Sequence, residues 1–418
     1  MKKVIAKILI IYLIIIFIPI SIFADDEITD ENFSIENVSI ETSSNINDEP
    51  EINARHAIVF DRNSKTSIYG KKELEKCKMA STTKIMTAIV IIENCNLNDT
   101  VKISSKSAGT GGSRLGLAKN DEISVKHLLY GLMMKSGNDA AVALAEYSSG
   151  NIENFAQKMN KKAKELNLTN TNFITPHGLD NENHYTTAYD LAILTDYALN
   201  NETFFKIVNS KYYTILINNQ PRNISNTNEL LGNFDGIYGV KTGFTNGANR
   251  CLVTACKRNS LDYICVVLGC DTKKDRTQDS VDLLNYAFKN FSLIDIKQIA
   301  LKKFEDWIFS HQNSFYINKG KSNKLDLKIS IDDLPFSNIA VKNSEKDNIR
   351  AEISYSSYFE APLYENTRIG KLSLSINPQK CYSVDILNKN EILKKSIYDY
   401  SIFIFKNYIK LLCKNSPI

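Results

Sequence analysis

A serine and a lysine spaced three residues apart, at the start of an apolar segment, constrain this chain more than any other feature. Ser81 and Lys84 lie within Met79–Ile89, whose other residues are mostly small or apolar. Side chains three apart share one face of a helix, so Lys84 Nζ can approach Ser81 Oγ. Apolar surroundings favour the neutral amine of a lysine, which can then accept the serine proton. The segment predicts a buried helix carrying an activated serine, although a helix-capping serine beside a solvated lysine fits the same letters.

Two more polar motifs follow. Ser136-Gly137-Asn138 lies between the apolar Leu128–Met134 and the alanine-rich Ala140–Ala145, which predicts a tight loop between two helices. Lys241-Thr242-Gly243 predicts a strand whose polar side chains project toward an anion, and Gly243 permits another backbone to come close. Taken singly, the first motif also fits an ordinary turn with a helix cap, and the second an exposed edge strand.

The order of the three motifs is much more specific than any one of them, because such a trio is typical of class A β-lactamases and penicillin-binding proteins. The chain resembles the low-molecular-mass penicillin-binding proteins, specifically the exported serine-type D-alanyl-D-alanine carboxypeptidases. Three further stretches fit the same family in the same order: Thr175–Asp180, Thr187–Ala192 and Gly239–Gly243. The resemblance is strong over residues 52–295, whereas residues 296–418 match the family only in layout.

The resemblance implies a role for each motif residue. Ser81 would be the nucleophile that attacks the carbonyl of the penultimate D-alanine, and Lys84 would accept its proton. Ser136 and Asn138 would relay a proton to the leaving D-alanine and hold the substrate. The other implied substrate contacts are Lys241, Thr242 and Gly243, the backbone N–H groups of Ser81 and Phe244 as an oxyanion hole, and Arg276 at the substrate carboxylate. For Arg276 a purely structural role is an equal alternative.

His177 is a tempting general base for a serine hydrolase, but its stretch, Thr175–Asp180, predicts a turn. Since lysine does this work in the family that the chain resembles, we expect His177 and Asp190 to be structural. No metal-ligand spacing of cysteines is present, and we expect neither a metal nor a cofactor.

The predicted fold is α/β. Strand signals lie at Arg55–Asp61, Ser67–Tyr69 and Lys241–Cys270, and helices are predicted from Ser81 to about Ala198 and at Gln278–Asn290. Together with the resemblance, these segments imply an antiparallel sheet flanked by helices, beside a helical lobe, as the catalytic domain over residues 52–295. Alternating runs within residues 296–385 predict a small β-sandwich.

The two ends of the chain differ from its body. Residues 1–24 have lysines, a short apolar run and Ala24 at the exit, which predicts a secretory signal peptide; a retained anchor is the alternative. Residues 25–51 are acidic and predict a disordered linker. Within residues 386–418, apolar residues recur at steps of three and four beside Lys406 and Lys410, which predicts an amphipathic helix that lies on a membrane surface or packs on its domain.

Charge and export together limit the possible partners. The net charge is +4, but ten acids and no basic residue lie between Asp25 and Glu51, so the body is basic. A basic body fits nucleic acid, anionic membranes or cell-wall polymers, and the signal peptide removes nucleic acid. We expect a protein at the outer face of the cytoplasmic membrane or in the cell wall. Its expected partners are the peptidoglycan stem peptide, β-lactam antibiotics as covalent inhibitors, and the membrane surface through the terminal helix.

Cysteine usage leaves a choice that depends on strand register. Four of the eight cysteines lie in two apolar runs that a hairpin would join: Cys251, Cys256, Cys265 and Cys270. A turn at Ser260-Leu261 would place both pairs opposite each other, whereas a turn centred on Asn259-Ser260 would separate them. Because a bridge between directly opposed strand neighbours is geometrically demanding, we expect mostly free, buried thiols, with a cross-strand disulfide as the alternative.

Two other functions fit parts of the pattern. A class A β-lactamase needs a deacylating glutamate in a Glu-x-x-Leu-Asn stretch, and the nearest segment, Ala163–Asn167, has alanine at that place. A cell-wall-binding protein with a decayed site is opposed by the intact Ser81, Lys84 and Lys241.

Overall fold

The computed structural model describes residues 49–311, 314–377 and 380–414. The predicted signal peptide and all but the last residues of the acidic linker lie outside these ranges. The chain divides in sequence between Lys289 and Asn290 into two compact units, which are described in turn. This division falls a few residues before the predicted boundary at 295/296.

The first unit contains nine strands and eight helices within the described residues. In chain order they are β1 His56–Asp61, β2 Thr66–Lys71, α1 Lys84–Asn94, β3 Thr100–Lys102, α2 Ser105–Ala108, β4 Glu122–Ser124, α3 Val125–Met134, α4 Asn138–Ser149, α5 Ile152–Glu165, α6 Ala188–Leu199, α7 Glu202–Val208, β5 Tyr212–Ile217, β6 Gln220–Ser225, β7 Ile237–Thr245, β8 Asn249–Arg258, β9 Leu261–Cys270 and α8 Lys273–Asn290. A 3₁₀ turn, Ala80–Thr83, leads directly into α1.

Five antiparallel strands form the main sheet, in the order β2-β1-β9-β8-β7. The three central strands are apolar along nearly their whole length, as expected for strands covered on both faces. On one face, Ile58, Val253 and Val266 belong to the same core as the helical lobe. On the other face, helix α8 packs through rings: Tyr286 lies against Tyr69 and Phe288 against Tyr263. The predicted antiparallel sheet flanked by helices is confirmed.

The helical lobe forms because several helices each bury an apolar side in one shared core. All of Lys84–Ile91 on α1 is buried, and α3 and α4 pack against it. A helix that is buried all round is unusual in a domain of this size unless other helices surround it. Helix α1 therefore lies at the centre of the lobe, with Lys84 as its first residue and Ser81 on the 3₁₀ turn that leads into it.

The β8–β9 hairpin has the register that separates the cysteine pairs. Arg258 pairs with Leu261, so the turn is Asn259-Ser260, and Cys256 and Cys265 do not face each other. The expectation of free, buried thiols is confirmed for Cys256, Cys265 and Cys270. Burial raises the pKa of the Cys256 thiol to about 12 and raises that of Cys265 further still. These thiols are therefore protonated and unreactive at neutral pH.

The second unit is rich in strands, as predicted. Its elements are β10 Phe291–Asp295, α9 Ile296–His311, β11 Tyr316–Asn318, β12 Leu327–Ile329, β13 Asn338–Lys342, β14 Arg350–Tyr355, β15 Tyr358–Glu360, β16 Arg368–Asn377, β17 Lys380–Asn388 and α10 Ile397–Lys414. Strands β12, β17, β16 and β14 form its largest sheet. Helix α9 was not predicted from the sequence; its residues Ile296, Ala300 and Phe304, four residues apart, are buried in the two cores of this unit.

Helix α10 covers most of the predicted terminal helix. It begins with a capping box, in which Ser396 Oγ accepts from the Asp399 N–H and the Asp399 carboxylate accepts from the Ser396 N–H. Its apolar side chains are exposed, among them Phe403, Phe405 and Leu411. No helix among the described residues has the length and apolar character needed to cross a membrane.

Candidate active site

Ser81 lies on the short 3₁₀ turn that precedes α1, and its side chain is nearly buried. The residue before it, Ala80, has a φ of +47°, which L residues rarely adopt. Gly178 makes room for this backbone, since any Cβ at Gly178 would overlap the Ala80 carbonyl oxygen. The turn Thr175–Asp180 therefore packs directly against the backbone that carries Ser81. Glycine is needed at position 178 because a side chain would not fit in this contact.

Lys84 Nζ is fully buried and lies at the centre of the site. It donates to Ser81 Oγ at 2.6 Å, to Asn138 Oδ1 at 2.7 Å and to the His177 carbonyl oxygen at 3.1 Å. Ser136 Oγ lies 3.4 Å from the same nitrogen. The helical spacing of Ser81 and Lys84 thus brings the two side chains into contact, as the sequence predicts.

Ser136 and Asn138 stand where a tight loop enters α4, and both are buried. Ser136 has a φ of +58°, so the loop is held in a rarely populated conformation. Asn138 is fixed through Nδ2, which donates to the Gly111 carbonyl at 2.8 Å, while its Oδ1 faces Lys84. The predicted loop between two helices, Ser136-Gly137-Asn138, therefore lies beside Lys84.

Asp139 supports the site and was not among the predicted site residues. Its carboxylate accepts from the backbone N–H groups of Leu115, Gly116 and Leu117 at 2.7 to 3.0 Å. Asp139 is fully buried, and these bonds hold the segment that precedes β4 against the Ser136 loop. The sequence signal that could have identified Asp139 is its position directly after Asn138.

Lys241, Thr242 and Gly243 lie on β7, the edge strand of the main sheet. Lys241 Nζ donates to Ser136 Oγ at 3.0 Å, so the second lysine reaches the same hydroxyl as the first. Thr242 Oγ1 lies 2.8 Å from Thr227 Oγ1. Thr227 comes from the segment after β6, and no feature of the sequence pointed to it.

Gly243 allows β7 to approach the serine turn closely. A Cβ at this position would lie 3.0 Å from the Ser81 backbone nitrogen. The backbone of β7 at Gly243 therefore lies close to the backbone of Ser81. The Phe244 ring is covered by the Arg250 guanidinium at 3.9 Å, which fixes the end of the strand.

A cleft of about 600 Å³ opens beside Ser136, Thr242 and Gly243. Arg276, on α8, lines this cleft and is 3% exposed. Its Nη2 donates to Glu229 Oε2 at 2.8 Å, while its buried Nε has no hydrogen-bond partner among the described residues. Arg276 therefore has both a structural partner and a place in the cleft wall. Glu229 belongs to none of the sequence motifs and was not predicted.

The two histidines near the site are neutral. Burial is the main cause that lowers the pKa of His177 to about 3, and its Nδ1 accepts from the Leu179 N–H. Burial lowers the pKa of His184 to about 4. Because His184 Nδ1 accepts from the Ile174 N–H, its Nε2 must carry the proton and donate to Thr83 Oγ1. Both rings hold backbone or neighbouring side chains in place.

Asp190 and Glu165 stand outside the cluster around Lys84. Asp190 accepts from the Asn170 N–H and from Thr171 Oγ1, which ties α6 to the preceding segment. Glu165 pairs with Lys162 at the surface of α5, and Ala163 is buried in the lobe core. Among the described residues, no group of three His, Cys, Asp or Glu side chains is arranged to hold a metal ion.

Each of the two units is similar to known proteins. A family model described as D-alanyl-D-alanine carboxypeptidase matches residues 43–272, and one described as the penicillin-binding protein 5 C-terminal domain matches residues 309–394. D-alanyl-D-alanine carboxypeptidase DacF of Bacillus subtilis (strain 168) is 33% identical over 351 residues, which cover 82% of this chain and 86% of that protein. D-alanyl-D-alanine carboxypeptidase DacA of Haemophilus influenzae is 29% identical over 84% of this chain and 88% of its own length.

Solved structures agree. Penicillin binding protein 5 from Haemophilus influenzae has a TM-score of 0.65 at 28% identity, covering 83% of this chain and 99% of that one. The Streptomyces K15 DD-transpeptidase has a TM-score of 0.55 at 33% identity, over 58% of this chain and 99% of its own. The sheet, helical lobe and β-rich second unit are thus those of a penicillin-binding protein of the type 5 class. Within that class, the chain belongs to the D-alanyl-D-alanine carboxypeptidase family.

Proposed function

We propose that the protein is a serine-type D-alanyl-D-alanine carboxypeptidase that removes the terminal D-alanine from peptidoglycan stem peptides through an acyl-enzyme on Ser81. The observation that carries the proposal is the buried contact between Lys84 Nζ and Ser81 Oγ at 2.6 Å. A serine with a lysine base needs no histidine, and His177 and His184 are both held in neutral, structural positions. Family membership supplies the reaction class, and the site supplies a residue for each step.

In the acylation step, Ser81 Oγ attacks the carbonyl carbon of the penultimate D-alanine while neutral Lys84 takes the hydroxyl proton. The carbonyl oxygen becomes an oxyanion and is bound by the backbone N–H groups of Ser81 and Phe244. Such donors typically contribute about 3 kcal/mol each to the transition state. The close approach of Gly243 to the Ser81 nitrogen supports this geometry.

Release of D-alanine requires a proton on the leaving nitrogen. Ser136 Oγ lies 3.4 Å from Lys84 Nζ and 3.0 Å from Lys241 Nζ. A hydroxyl can accept from one group and donate to another, so Ser136 passes a proton from Lys84 to the departing amine as the C–N bond breaks. Asn138 holds both Lys84 and the substrate. A water molecule then attacks the ester carbonyl and loses its proton to Lys84. Lys84 returns a proton to Ser81 Oγ as the ester C–O bond breaks, which frees Ser81 and the shortened peptide.

The terminal carboxylate of the substrate fits the cationic side of the cleft. Thr242, which is 6% exposed, and Lys241 lie on β7, and Arg276 stands in the same cleft wall as Thr242. Arg276 would bind this carboxylate through the N–H donors that its bond to Glu229 leaves unused, among them its buried Nε. β-Lactams carry a carboxylate near a reactive carbonyl, so they would acylate Ser81 by the same route and block it.

The protein would act outside the cytoplasm, at the outer face of the membrane. The signal-peptide pattern of residues 1–24 supports export. The exposed apolar residues of α10 and its lysines support attachment to an anionic membrane surface.

The reaction is tested by release of free D-alanine from a stem pentapeptide. The wild-type protein should release one D-alanine per peptide, and Ser81→Ala should abolish this without unfolding the chain. Lys78→Gln is a matched control, because Lys78 precedes the same turn but contacts Asp180. Absence of D-alanine release by the folded wild-type protein, or retained release by Ser81→Ala, would refute the proposal.

A further inference from the structure

We infer that the cleft carries a second anion subsite, formed by Arg114, Lys135 and Arg222, that binds a carboxylate of the substrate other than its terminal one. The inference rests on the proposed function and adds the class of peptide that the enzyme prefers. These three residues are called the rim cations below, and all three line the cleft that opens beside Ser136 and Thr242.

The size of the cleft exceeds what a single D-alanine needs. Its volume of about 600 Å³ falls in the range that holds a drug-sized ligand. Space remains after the terminal residue is seated at Thr242 and Arg276. A larger part of the peptide can therefore enter the same cleft, where any charge on it will interact with the charged residues of the cleft wall.

The wall of the cleft is strongly positive. Six basic residues line it, against one acid, Glu229, which is already bound to Arg276. A concave surface lined by one sign of charge concentrates ligands of the opposite sign. The terminal carboxylate of the substrate, bound at Thr242, would be paired with Lys241 and Arg276. The wall therefore has more positive charges than this one carboxylate needs.

The rim cations differ from the other basic residues of the wall in their contacts. Arg250 is stacked on the Phe244 ring, and Arg276 is buried with Glu229. In contrast, Arg222 and Lys135 have no ion-pair partner among the residues that the structure describes, and Arg114 donates only to the Ala108 carbonyl oxygen. Their positive charges are therefore available to a ligand.

The position of the rim cations is fixed by the same elements that build the site. Lys135 directly precedes Ser136, and Arg114 lies in the segment that Asp139 holds through the N–H of Leu115. Arg222, on β6, lies over Gly116, where a Cβ would be 3.3 Å from its Nη1. A larger residue at Gly116 would displace the Arg222 guanidinium. The three rim cations thus come from three separate segments of the chain and line the same cleft.

The test compares paired peptides that differ by one charge. One pair, N-acetyl-Glu-D-Ala-D-Ala and N-acetyl-Gln-D-Ala-D-Ala, places the extra carboxylate on the acyl side. The other pair, N-acetyl-Ala-D-Ala-D-Glu and N-acetyl-Ala-D-Ala-D-Gln, places it on the leaving residue. The ratio of kcat/KM within each pair is measured at low and high salt for the wild-type protein, for the double variant Arg114→Gln/Arg222→Gln, and for Lys119→Gln, an exposed lysine outside the cleft wall.

The carboxylate peptide should be preferred on the order of tenfold in at least one pair, mainly through KM, because exposed ion pairs contribute modestly and add over two arginines. The preference should fall toward unity in the double variant and at high salt, and Lys119→Gln should keep it. The pair that shows the preference identifies the side of the peptide that the rim reads.

A ratio near one in both pairs, or a preference that survives in the double variant, would overturn the inference. Labelling of Ser81 by a fluorescent penicillin separates this failure from failure of the proposed function. If Ser81 is labelled and the amidated peptides are hydrolysed without any carboxylate preference, only the second subsite is wrong. If Ser81 is not labelled and no peptide is hydrolysed, both are wrong.

Discussion

At the scale of single residues, the site places one hydroxyl between two lysines. Ser136 Oγ is within reach of both Lys84 and Lys241, which lie on a helix and on a strand far apart in sequence. The Ser81–Lys84 contact was predictable because a helix turn sets the distance between side chains three apart. The pairing of Thr227 with Thr242, and of Glu229 with Arg276, was not, since it depends on how distant segments pack.

The buried neutral histidines predict a pH dependence of stability. The pKa of His177 is lowered from 6.5 to about 3, so below pH 6.5 the unfolded chain binds more protons than the folded one. The free energy of unfolding must therefore fall as the pH drops from about 6.5 toward 3. His177→Gln removes one such group. Between about pH 6.5 and 5, the free energy of unfolding of this variant should therefore fall less than that of the wild type, by roughly 1–2 kcal/mol.

Denaturant unfolding at several pH values measures this difference. The comparison uses the change with pH and not the absolute stability, so any packing cost of the substitution is removed by a measurement near pH 8, where the histidine is neutral in both states. His184, with its pKa lowered to about 4, remains in both proteins and adds the same slope to each. Equal pH slopes for the two proteins would contradict the assignment of His177 as a buried neutral ring.

At the scale of elements, the structure depends on the close approach of a turn, a helix start and a strand. The order of strands and helices followed from apolar periodicity, and the sheet and lobe are confirmed. The register of the β8–β9 hairpin was open, because Asn259-Ser260 and Ser260-Leu261 are both acceptable turns. Helix α9 was not predicted, although Ile296, Ala300 and Phe304 recur at a helical step of four in its sequence and are buried in the structure.

Gly178 tests whether the turn beneath Ser81 positions the nucleophile. Gly178→Ala introduces a Cβ that would overlap the Ala80 carbonyl at a φ of +89°. We expect it to lower the free energy of unfolding by more than the roughly 1 kcal/mol that a positive φ alone costs, and to slow acylation by penicillin, because the Ser81 turn must shift.

Gly150→Ala provides the matched control for this substitution. Gly150 ends α4 with a similar φ of +79°, but no atom lies within 4 Å of the added Cβ. This variant should lose about 1 kcal/mol and keep the acylation rate of the wild type. If Gly178→Ala acylates as fast as Gly150→Ala, the turn does not position the serine.

At the scale of the whole molecule, charge is distributed by segment. The modest net charge of +4 combines an acidic stretch from Asp25 to Glu51 with a basic body. Within the body, two basic surfaces stand out: the cleft wall of the first unit and the lysines of α10. The tail could be predicted from periodicity alone, whereas the basic cleft could not, because Arg114, Lys135 and Arg222 belong to separate segments.

Deletion of Tyr398–Ile418 tests the role proposed for the terminal helix. The truncated protein should lose binding to vesicles that contain anionic lipid, as measured by co-sedimentation, and should move from the membrane to the soluble fraction of cells. Lys406→Gln/Lys410→Gln should weaken binding in a manner that depends on lipid charge, at about 1 kcal/mol for each lysine. Unchanged membrane retention of the truncated protein would refute an essential role for the helix.

The central claim is that Ser81, activated by Lys84, is the nucleophile. The most direct measurement is mass spectrometry of the protein after reaction with a labelled penicillin, followed by digestion to locate the adduct. We expect one adduct per chain, on Ser81, and no adduct in Ser81→Ala, with acylation in Lys84→Gln slowed by at least about 100-fold. An adduct on any other residue, or rapid labelling of folded Ser81→Ala, would contradict it.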